Sequence, residues 1–314
     1  MVKPRMHHYV PESYQKGFLK PSSQMIAFLD MKSGKLDHTN PLNMVKERDL
    51  YTMGFPPDGR DTTFIENPLL SSVDGTYPFL LEKLRANSFS ETDRRSLSVF
   101  LGYLKSRTPS YFKTIEASAR DNLVRDTYSK LLNDGVKAKE ATDAGFDISS
   151  VEAFSEEVAP LLSLEKDGVL SVFLAVAESS AELIFESSWE ILISGEGSFI
   201  TSDNPFCRIW DLHVYVGKKQ RESKKYFMVP LSSELALRIS SAGQMDRFSV
   251  LDKVAVDEVN EAIAYCADRW LLGNAEENLK NAHIRAAEFK KREELWERAD
   301  QVLQAITGEP VQRS

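Results

Sequence analysis

The chain changes its hydrophobic periodicity twice, and this change constrains the fold more than any other feature of the sequence. Over residues 90–186 apolar side chains recur at helical spacing, for example at Leu97 and Leu101. After Trp189 they alternate with a period of two, which is typical of β-strands, and from residue 252 the helical spacing returns. Strands enclosed by two helical regions predict an α+β fold, a mostly helical body with a small antiparallel β-sheet.

Composition and turn residues divide the chain into four regions. Residues 1–90 are mixed and carry a His-His-Tyr-Val-Pro block and a predicted β-hairpin. Residues 91–186 are helical, 187–240 contain antiparallel strands with a Thr-Ser-Asp-Asn-Pro turn, and 241–314 form C-terminal helices. The chain shows no internal repeat and no low-complexity tract. We therefore expect one compact domain.

Turn and capping residues predict individual elements. Ser33-Gly34 predicts the turn of a hairpin with strands at 25–31 and 35–38. Ser90 predicts an N-cap, with Glu91 and Asp93 in the first helical turn. In the strand region, a turn at 195–197 is predicted to join strands 189–194 and 198–202, and strands 226–230 and 234–239 are predicted to form a second pair.

Composition excludes several functional classes. The chain has 39 basic and 47 acidic residues, a net charge of −8. Nonspecific binding of duplex DNA requires a basic footprint that releases counterions, so we expect none at physiological salt. The longest apolar run, residues 172–177, is far shorter than the ~20 residues of a membrane span. The N-terminal residues contain no apolar signal core, and the two cysteines, Cys207 and Cys266, lie among apolar neighbours. These features predict a soluble, intracellular, cytoplasmic protein with no membrane contact.

Two of the five histidines, His7 and His8, are adjacent. Adjacent side chains in an extended segment point to opposite faces, so one can enter a pocket while the other packs or bonds to the backbone. An imidazole in this position can be a metal ligand or a general base. It can equally be a structural group that caps backbone carbonyls, and the spacing does not choose between these interpretations.

Two further charged residues, Glu66 and Arg107, are candidate site residues. Glu66 follows the apolar pair Phe64-Ile65, where a carboxylate is either a solvated helix-start residue or a functional acid. Arg107 stands near a predicted helix end, where the helix dipole stabilises a cation. As a functional group, Arg107 would hold a carboxylate or phosphate in a bidentate fork.

The segment 199–205, Phe-Ile-Thr-Ser-Asp-Asn-Pro, is the sharpest local signal. Ser, Asp and Asn before Pro form a tight turn through side-chain bonds to the backbone, which explains the composition without any function. A loop held by a rigid scaffold is also a common place for catalytic residues. Asp203 is then the candidate metal ligand or base, and Asn204 the amide that orients it. On this hypothesis Asp203→Asn costs about 1 kcal/mol or less in stability and abolishes function.

The order of short blocks along the chain resembles the domain of unknown function 4238 family. The opening His-His-Tyr-Val-Pro-Glu-Ser-Tyr-Gln-Lys-Gly-Phe is similar to the start of that family, although Glu12 and Gln15 stand where glutamine and leucine are usual. The later blocks follow in the family order over residues 6–270: Ile65-Glu66, Arg107-Thr108-Pro109, Trp189, the turn 201–205 and Pro230-Leu231-Ser232. The resemblance implies that these blocks meet around one site, and it implies no activity.

A site that combines the candidate residues suits the hydrolysis of a phosphate ester or a nucleic-acid phosphodiester. The predicted catalytic residues are His7, His8, Glu66, Arg107, Asp203 and Asn204. Of these, His8, Glu66 and Asp203 would hold a divalent metal such as Mg²⁺ or Mn²⁺ that activates water, and Arg107 would neutralise phosphoryl charge. The sequence lacks GxGxxG, Walker A, HExxH and GxSxG motifs, which argues against standard nucleotide-binding ATPases, zincin proteases and α/β-hydrolases.

The alternative function is a non-enzymatic sensor or interaction module that binds a small anionic ligand or a protein partner. The last helix carries an apolar stripe at helical spacing, which is more often core packing than a binding face: Leu279, Ala282, Ala286, Phe289 and Trp296. Association of copies of the chain through this C-terminal helix is compatible with either function.

Overall fold

The computed structural model describes residues 6–20, 22–56, 59–162, 164–209, 226–241 and 247–307, with no description of the side chains of 209 and 292–307. The structure is 55% helix and 18% strand, which confirms an α+β fold with a mostly helical body. The helices are α1 (Glu12–Gln15), α2 (Ser71–Arg85), α3 (Glu91–Ser106), α4 (Pro109–Leu132), α5 (Gly135–Asp143), α6 (Val151–Val158), α7 (Lys166–Glu186), α8 (Lys253–Cys266) and α9 (Glu276–Thr307). The strands are β1 (Met6–His8), β2 (Ile26–Asp30), β3 (Leu36–Thr39), β4 (Lys46–Arg48), β5 (Ser188–Ser194), β6 (Thr201–Ser202), β7 (Cys207–Ile209), β8 (Tyr226–Pro230), β9 (Leu235–Ser240), β10 (Arg247–Leu251) and β11 (Trp270–Gly273).

The hairpin predicted near Ser33-Gly34 is present and belongs to a four-stranded antiparallel sheet. Its strand order is β3-β2-β11-β6. The prediction that residues 198–202 pair with 189–194 is wrong, because Thr201 and Ser202 pair with Leu272 and Leu271 of β11 instead. Phe199 and Ile200, which precede β6, are both buried, and they lie between β5 of one sheet and β6 of the other.

A second sheet has five strands in the order β10-β5-β9-β8-β7. The predicted pair of strands at 226–230 and 234–239 is present as β8 and β9. The sheet is mixed and not purely antiparallel, because β10 runs parallel to β5. Both β10 and β11 lie in the region predicted to be only helical. They are five and four residues long, too short to change the periodicity of the surrounding helical sequence.

Helix α3 begins as the sequence predicts. The Ser90 side chain accepts a hydrogen bond from the Asp93 N–H, and the Asp93 carboxylate accepts one from the Ser90 N–H. This helix packs closely against α7 at Gly102. A Cβ atom on Gly102 would lie 2.4 Å from the Ala177 carbonyl oxygen, so the two backbones approach as they do only where the side chain is a hydrogen.

Within the described residues, α7 is the single helix whose length and composition would allow it to cross a membrane. Several of its apolar side chains, among them Phe173, Ala177 and Ile184, are buried in the protein core. The core helix of a soluble protein can have the same length and composition, so a single helix of this kind is weak evidence for a membrane span.

Helix α9 confirms the predicted C-terminal helix, and the described part of its apolar stripe packs internally. Leu279, Ala282 and Ala286 are buried, and the Phe289 ring lies 5.2 Å from the Tyr265 ring of α8. Trp296 lies outside the described side chains. Association of copies through α9 therefore stays a prediction, and this part of the stripe is already covered by the chain's own helix.

Candidate functional site

The sequence blocks that are distant along the chain meet at helix α1. The Tyr14 hydroxyl donates a hydrogen bond to the Pro230 carbonyl at 2.6 Å and lies 2.9 Å from the Thr201 hydroxyl. The Ser233 N–H donates to the Gly17 carbonyl at 2.9 Å. Tyr14 has no exposed surface, so these bonds satisfy a polar group that burial would otherwise destabilise. The opening block, the Thr-Ser-Asp-Asn-Pro turn and the Pro-Leu-Ser block are thereby held together.

Arg107 follows the last residue of α3 and is completely buried. Its guanidinium donates two hydrogen bonds to the Asp74 carboxylate, at 3.1 and 2.9 Å. Asp74 lies in the first turn of α2 and is partly exposed. Burial raises the pKa of Asp74, and the Arg107 charge opposes this rise. The predicted fork of Arg107 is therefore present, but it holds a carboxylate of the same chain and has no surface left for a substrate.

His7 is the structural member of the histidine pair. It is buried, stacks on Tyr51 with ring centroids 5.6 Å apart, and its Nδ1 accepts the Tyr51 N–H at 3.0 Å. The Tyr51 hydroxyl in turn donates to the Arg107 carbonyl at 3.2 Å. His7 therefore connects β1 to the segment around Tyr51 and does not face solvent.

His8 is half-buried and points to the other side of β1. Its Nε2–H donates to the Leu42 carbonyl at 3.1 Å, so the neutral ring carries its lone pair on Nδ1. Burial lowers the pKa of His8, the charges of Lys46 and Arg107 lower it further, and the bond to Leu42 opposes them. The imidazole is thus neutral at pH 7 and able to accept a proton.

Glu66 is half-buried in the helical turn before α2. Burial raises its pKa to about 7, the Arg107 charge opposes this rise, and the Asp74 charge adds to it. Near neutral pH this carboxyl group therefore exists in both protonation states. Glu66 and His8 both interact electrostatically with Arg107, so the charge of this third predicted site residue acts on the other two.

Asp203 and Asn204 bind the backbone around residues 266–269. Both Asp203 carboxylate oxygens accept backbone N–H groups, one from Asp268 at 3.0 Å and one from Arg269 at 2.9 Å. Burial raises the pKa of Asp203 to about 6, with a further increase from the Asp268 charge. The Asn204 side-chain amide donates to the Cys266 carbonyl at 3.0 Å and does not orient Asp203. Both side chains make structural bonds, but to a distant segment and not to their own turn as the sequence-based alternative has it; the local bond of the turn runs from the Asn204 N–H to the Ser202 hydroxyl.

The predicted metal ligands do not form a metal centre. In the part of the chain that the structure describes, no three His, Cys, Asp or Glu side chains are grouped so that they could hold a metal ion. His8 uses Nε2 on the Leu42 carbonyl, and Asp203 uses both oxygens on backbone amides. A Mg²⁺ or Mn²⁺ site at His8, Glu66 and Asp203 is therefore not assembled by this arrangement.

Asp74 and Tyr51 are central to the cluster, and sequence reasoning missed both. Asp74 lies 33 positions before Arg107, and no periodic pattern links the two residues. The hydrogen-bond partners of Tyr51, His7 and Arg107, are 44 and 56 positions away. A buried arginine requires a carboxylate partner, but the sequence does not say which of the 47 acidic residues provides it.

A comparison with protein families matches residues 6–277 of the chain to the family described as "Protein of unknown function (DUF4238)". The comparison with curated proteins found no match, and the comparison with solved structures found none either.

Proposed function

Since the chain belongs to the DUF4238 family, whose description names no activity, we propose a function from the geometry of the chain itself. The protein is a cytoplasmic hydrolase that cleaves phosphate esters or phosphodiesters. It uses general acid–base catalysis by Glu66 and His8. One observation carries this proposal. Two half-buried titratable groups beside the buried Arg107 have pKa values displaced in opposite directions. Such a pair supplies one proton donor and one proton acceptor at the same pH.

Each residue has a distinct role in this mechanism. Protonated Glu66 donates a proton to the leaving oxygen, and Nδ1 of His8 accepts a proton from the attacking water. Lys46 is half-buried near His8 and supplies positive charge for the phosphoryl group. Arg107 is a positioning residue, because it has no exposed surface and acts through its bonds to Asp74 and through its charge.

The test measures hydrolysis of bis(p-nitrophenyl) phosphate, p-nitrophenyl phosphate and a single-stranded oligonucleotide. The wild-type rate should depend on pH as a bell, rising through the lowered pKa of His8 and falling through the Glu66 pKa of about 7. Glu66→Gln should lose most of the activity, and the remaining rate should no longer fall at alkaline pH. The matched control is Glu82→Gln, at an exposed position of the neighbouring helix α2. This variant should keep both the wild-type activity and the wild-type pH dependence. A wild-type protein that hydrolyses none of the three substrates contradicts the proposal.

A non-enzymatic binding module is the second candidate, and an open groove favours it. The groove lies between α1 and α2, has a volume of about 400 Å³, and is lined by residues of both charge signs, including Glu12, Lys16, Glu82 and Arg85. A partner that carries both positive and negative groups would complement the mixed charges of this groove. Inactivity on all three substrates, together with a thermal shift caused by a ligand and abolished by Lys16→Glu, would favour this function.

A further inference from the structure

The two cysteines of the chain, which the sequence places far apart, lie side by side in the structure. Cys207 begins strand β7 at the edge of the five-stranded sheet, and Cys266 is the last residue of α8. Both cysteines contact Asn204, and their side chains are close enough to act on each other's pKa. Cys207 is buried and Cys266 is partly exposed, so a small reagent from solvent reaches Cys266 first.

Asn204 fixes the positions of both cysteines. Its side-chain amide donates to the Cys266 carbonyl at 3.0 Å, and its backbone carbonyl accepts the Cys207 thiol at 3.7 Å. The Asn204 N–H is itself bonded to the Ser202 hydroxyl at 3.1 Å. One turn therefore bonds both the Cys207 thiol and the Cys266 backbone, and it is the turn in which the sequence predicted a site.

The surroundings make the two thiols chemically different. The neighbouring Cys207 side chain lowers the pKa of Cys266, and the Lys290 ammonium, which lies 5.4 Å from the Tyr265 ring centroid, lowers it further against burial and the Asp268 charge. Burial raises the pKa of the Cys207 thiol. A thiolate is the reactive form of cysteine, so Cys266 is the nucleophile and Cys207 remains a thiol until its partner is oxidised.

We propose that Cys266 and Cys207 form a hydroperoxide-reactive thiol pair whose product is a disulfide bond between strand β7 and the end of helix α8. The Cys266 thiolate attacks the terminal peroxide oxygen, the O–O bond breaks, and the alcohol or water leaves as Cys266 becomes a sulfenic acid. The Cys207 sulfur then attacks the Cys266 sulfur, the S–S bond forms, and water leaves with the Cys207 proton. Overall, two thiols are oxidised and one hydroperoxide is reduced. A dithiol reductant restores the pair.

This pair is independent of the Glu66 and His8 chemistry. Cys207 and Cys266 contact Asn204 in the turn 202–204. Glu66 and His8 instead interact electrostatically with Arg107. In a reducing compartment a disulfide of this kind is transient and reports the presence of an oxidant. The proposal therefore assigns a modification site with hydroperoxides as its substrate class.

The test treats the full-length protein with hydrogen peroxide and maps its peptides by mass spectrometry without reduction. Because the chain contains only 2 cysteines, the expected product is unambiguous. A linked peptide pair containing Cys207 and Cys266 should appear, the monomer should lose two hydrogens in mass, and dithiothreitol should reverse the change. Iodoacetamide should then label neither thiol before reduction and both thiols after it, in denaturant.

Two variants separate the two steps. Cys207→Ala should stop at the Cys266 sulfenic acid, which dimedone traps, and should also slow iodoacetamide labelling of Cys266 at pH 7 several-fold. Cys266→Ala should leave Cys207 unoxidised under the same conditions. Circular dichroism and thermal melts of both variants verify that they fold. The proposal is overturned if peroxide leaves both thiols free in the wild type, if disulfides form only between molecules, or if Cys207 is oxidised faster than Cys266.

Discussion

The Arg107 guanidinium holds the Asp74 carboxylate by two hydrogen bonds of 2.9 and 3.1 Å, at a depth where Arg107 has no exposed surface. The bond joins the end of α3 to the first turn of α2, and the Tyr51 hydroxyl and the Ser13 hydroxyl bond the backbone carbonyls of the same two residues. The pair therefore connects α2 and α3 to the segments of Ser13 and Tyr51, and the charge of Arg107 acts on the pKa values of His8 and Glu66.

Asp74→Asn should lower the free energy of unfolding by about 3 kcal/mol, because it leaves the buried Arg107 cation without a compensating charge. Urea denaturation at pH 7 measures the change. Asp121→Asn, which breaks the exposed Asp121–Arg125 pair on α4, is the matched control and should have little effect. The double variant Asp74→Leu with Arg107→Met should regain most of the lost stability. Equal losses for Asp74→Asn and the control would show that the pair contributes nothing.

Glu66 should make the protein less stable as the pH rises. Its pKa is about 7 in the folded state and near 4.5 in the unfolded state, so the folded state binds the proton more tightly. The contribution is fully present below pH 4.5, is lost progressively as the pH rises to about 7, and does not change above that. After allowance for solvent screening of a half-buried group, the loss is on the order of 1–2 kcal/mol.

The comparison of wild type with Glu66→Gln isolates this effect from Asp203, whose pKa of about 6 adds a similar slope at lower pH. Urea denaturation at pH 5 and pH 8 should show a smaller decrease for Glu66→Gln than for the wild type. Identical decreases in the two proteins would mean that the Glu66 carboxyl group is solvated and has an ordinary pKa.

Asp203→Asn should destabilise the protein by about 1 kcal/mol, the net of two opposed effects: one lost backbone hydrogen bond costs about 1–3 kcal/mol, and removal of a charge that burial disfavours offsets part of this loss. An amide has one acceptor oxygen where the carboxylate has two, so one of the N–H groups of Asp268 and Arg269 loses its partner. Thermal melts at pH 7.5, where the carboxylate is charged, measure the loss. Asp126→Asn, at an exposed position of α4, serves as the control. A melting temperature equal to that of the wild type would restore Asp203 as a candidate functional residue.

Gly102→Ala should destabilise the protein by about 1–3 kcal/mol, because the added methyl group would meet the Ala177 carbonyl oxygen and the Ala181 N–H. Gly75→Ala is the matched control. Gly75 lies within α2 and has nothing within 4 Å of an added Cβ, so its replacement should stabilise the helix by about 0.5–1 kcal/mol. Opposite shifts of the melting temperature are expected, and two shifts of the same sign would contradict the close contact of α3 and α7.

The elements that the sequence predicts well depend on neighbouring residues. The Ser90–Asp93 capping box and the hairpin of β2 and β3 involve residues a few positions apart, so their signals are visible in the sequence. The predicted pairing of Thr201 and Ser202 is wrong because their actual partner is β11, about seventy positions later. The sequence of an extended segment does not indicate which other strand it pairs with.

The candidate site also contains residues that local sequence context identifies and residues whose role depends on distant partners. Residue type and local context were enough to single out His8, Glu66 and Arg107, and in the structure the charge of Arg107 acts on the pKa values of the other two. The functional role predicted for Asp203 had a weaker basis. The two N–H groups that bond its carboxylate are 65 and 66 positions away, so local sequence context could not show that this carboxylate is already used in a structural contact.

The sequence by itself determined most of the helical and extended segments, although not β10 and β11, together with the net charge and the chemical groups that are present. The tertiary structure alone decided that Arg107 is neutralised by Asp74, that Cys207 lies beside Cys266, and that Glu66 holds its proton near pH 7. The physical reason is that propensity and periodicity act over a few neighbouring residues. Desolvation and charge pairing instead depend on every atom around a group, and the folded chain assembles those atoms from distant positions.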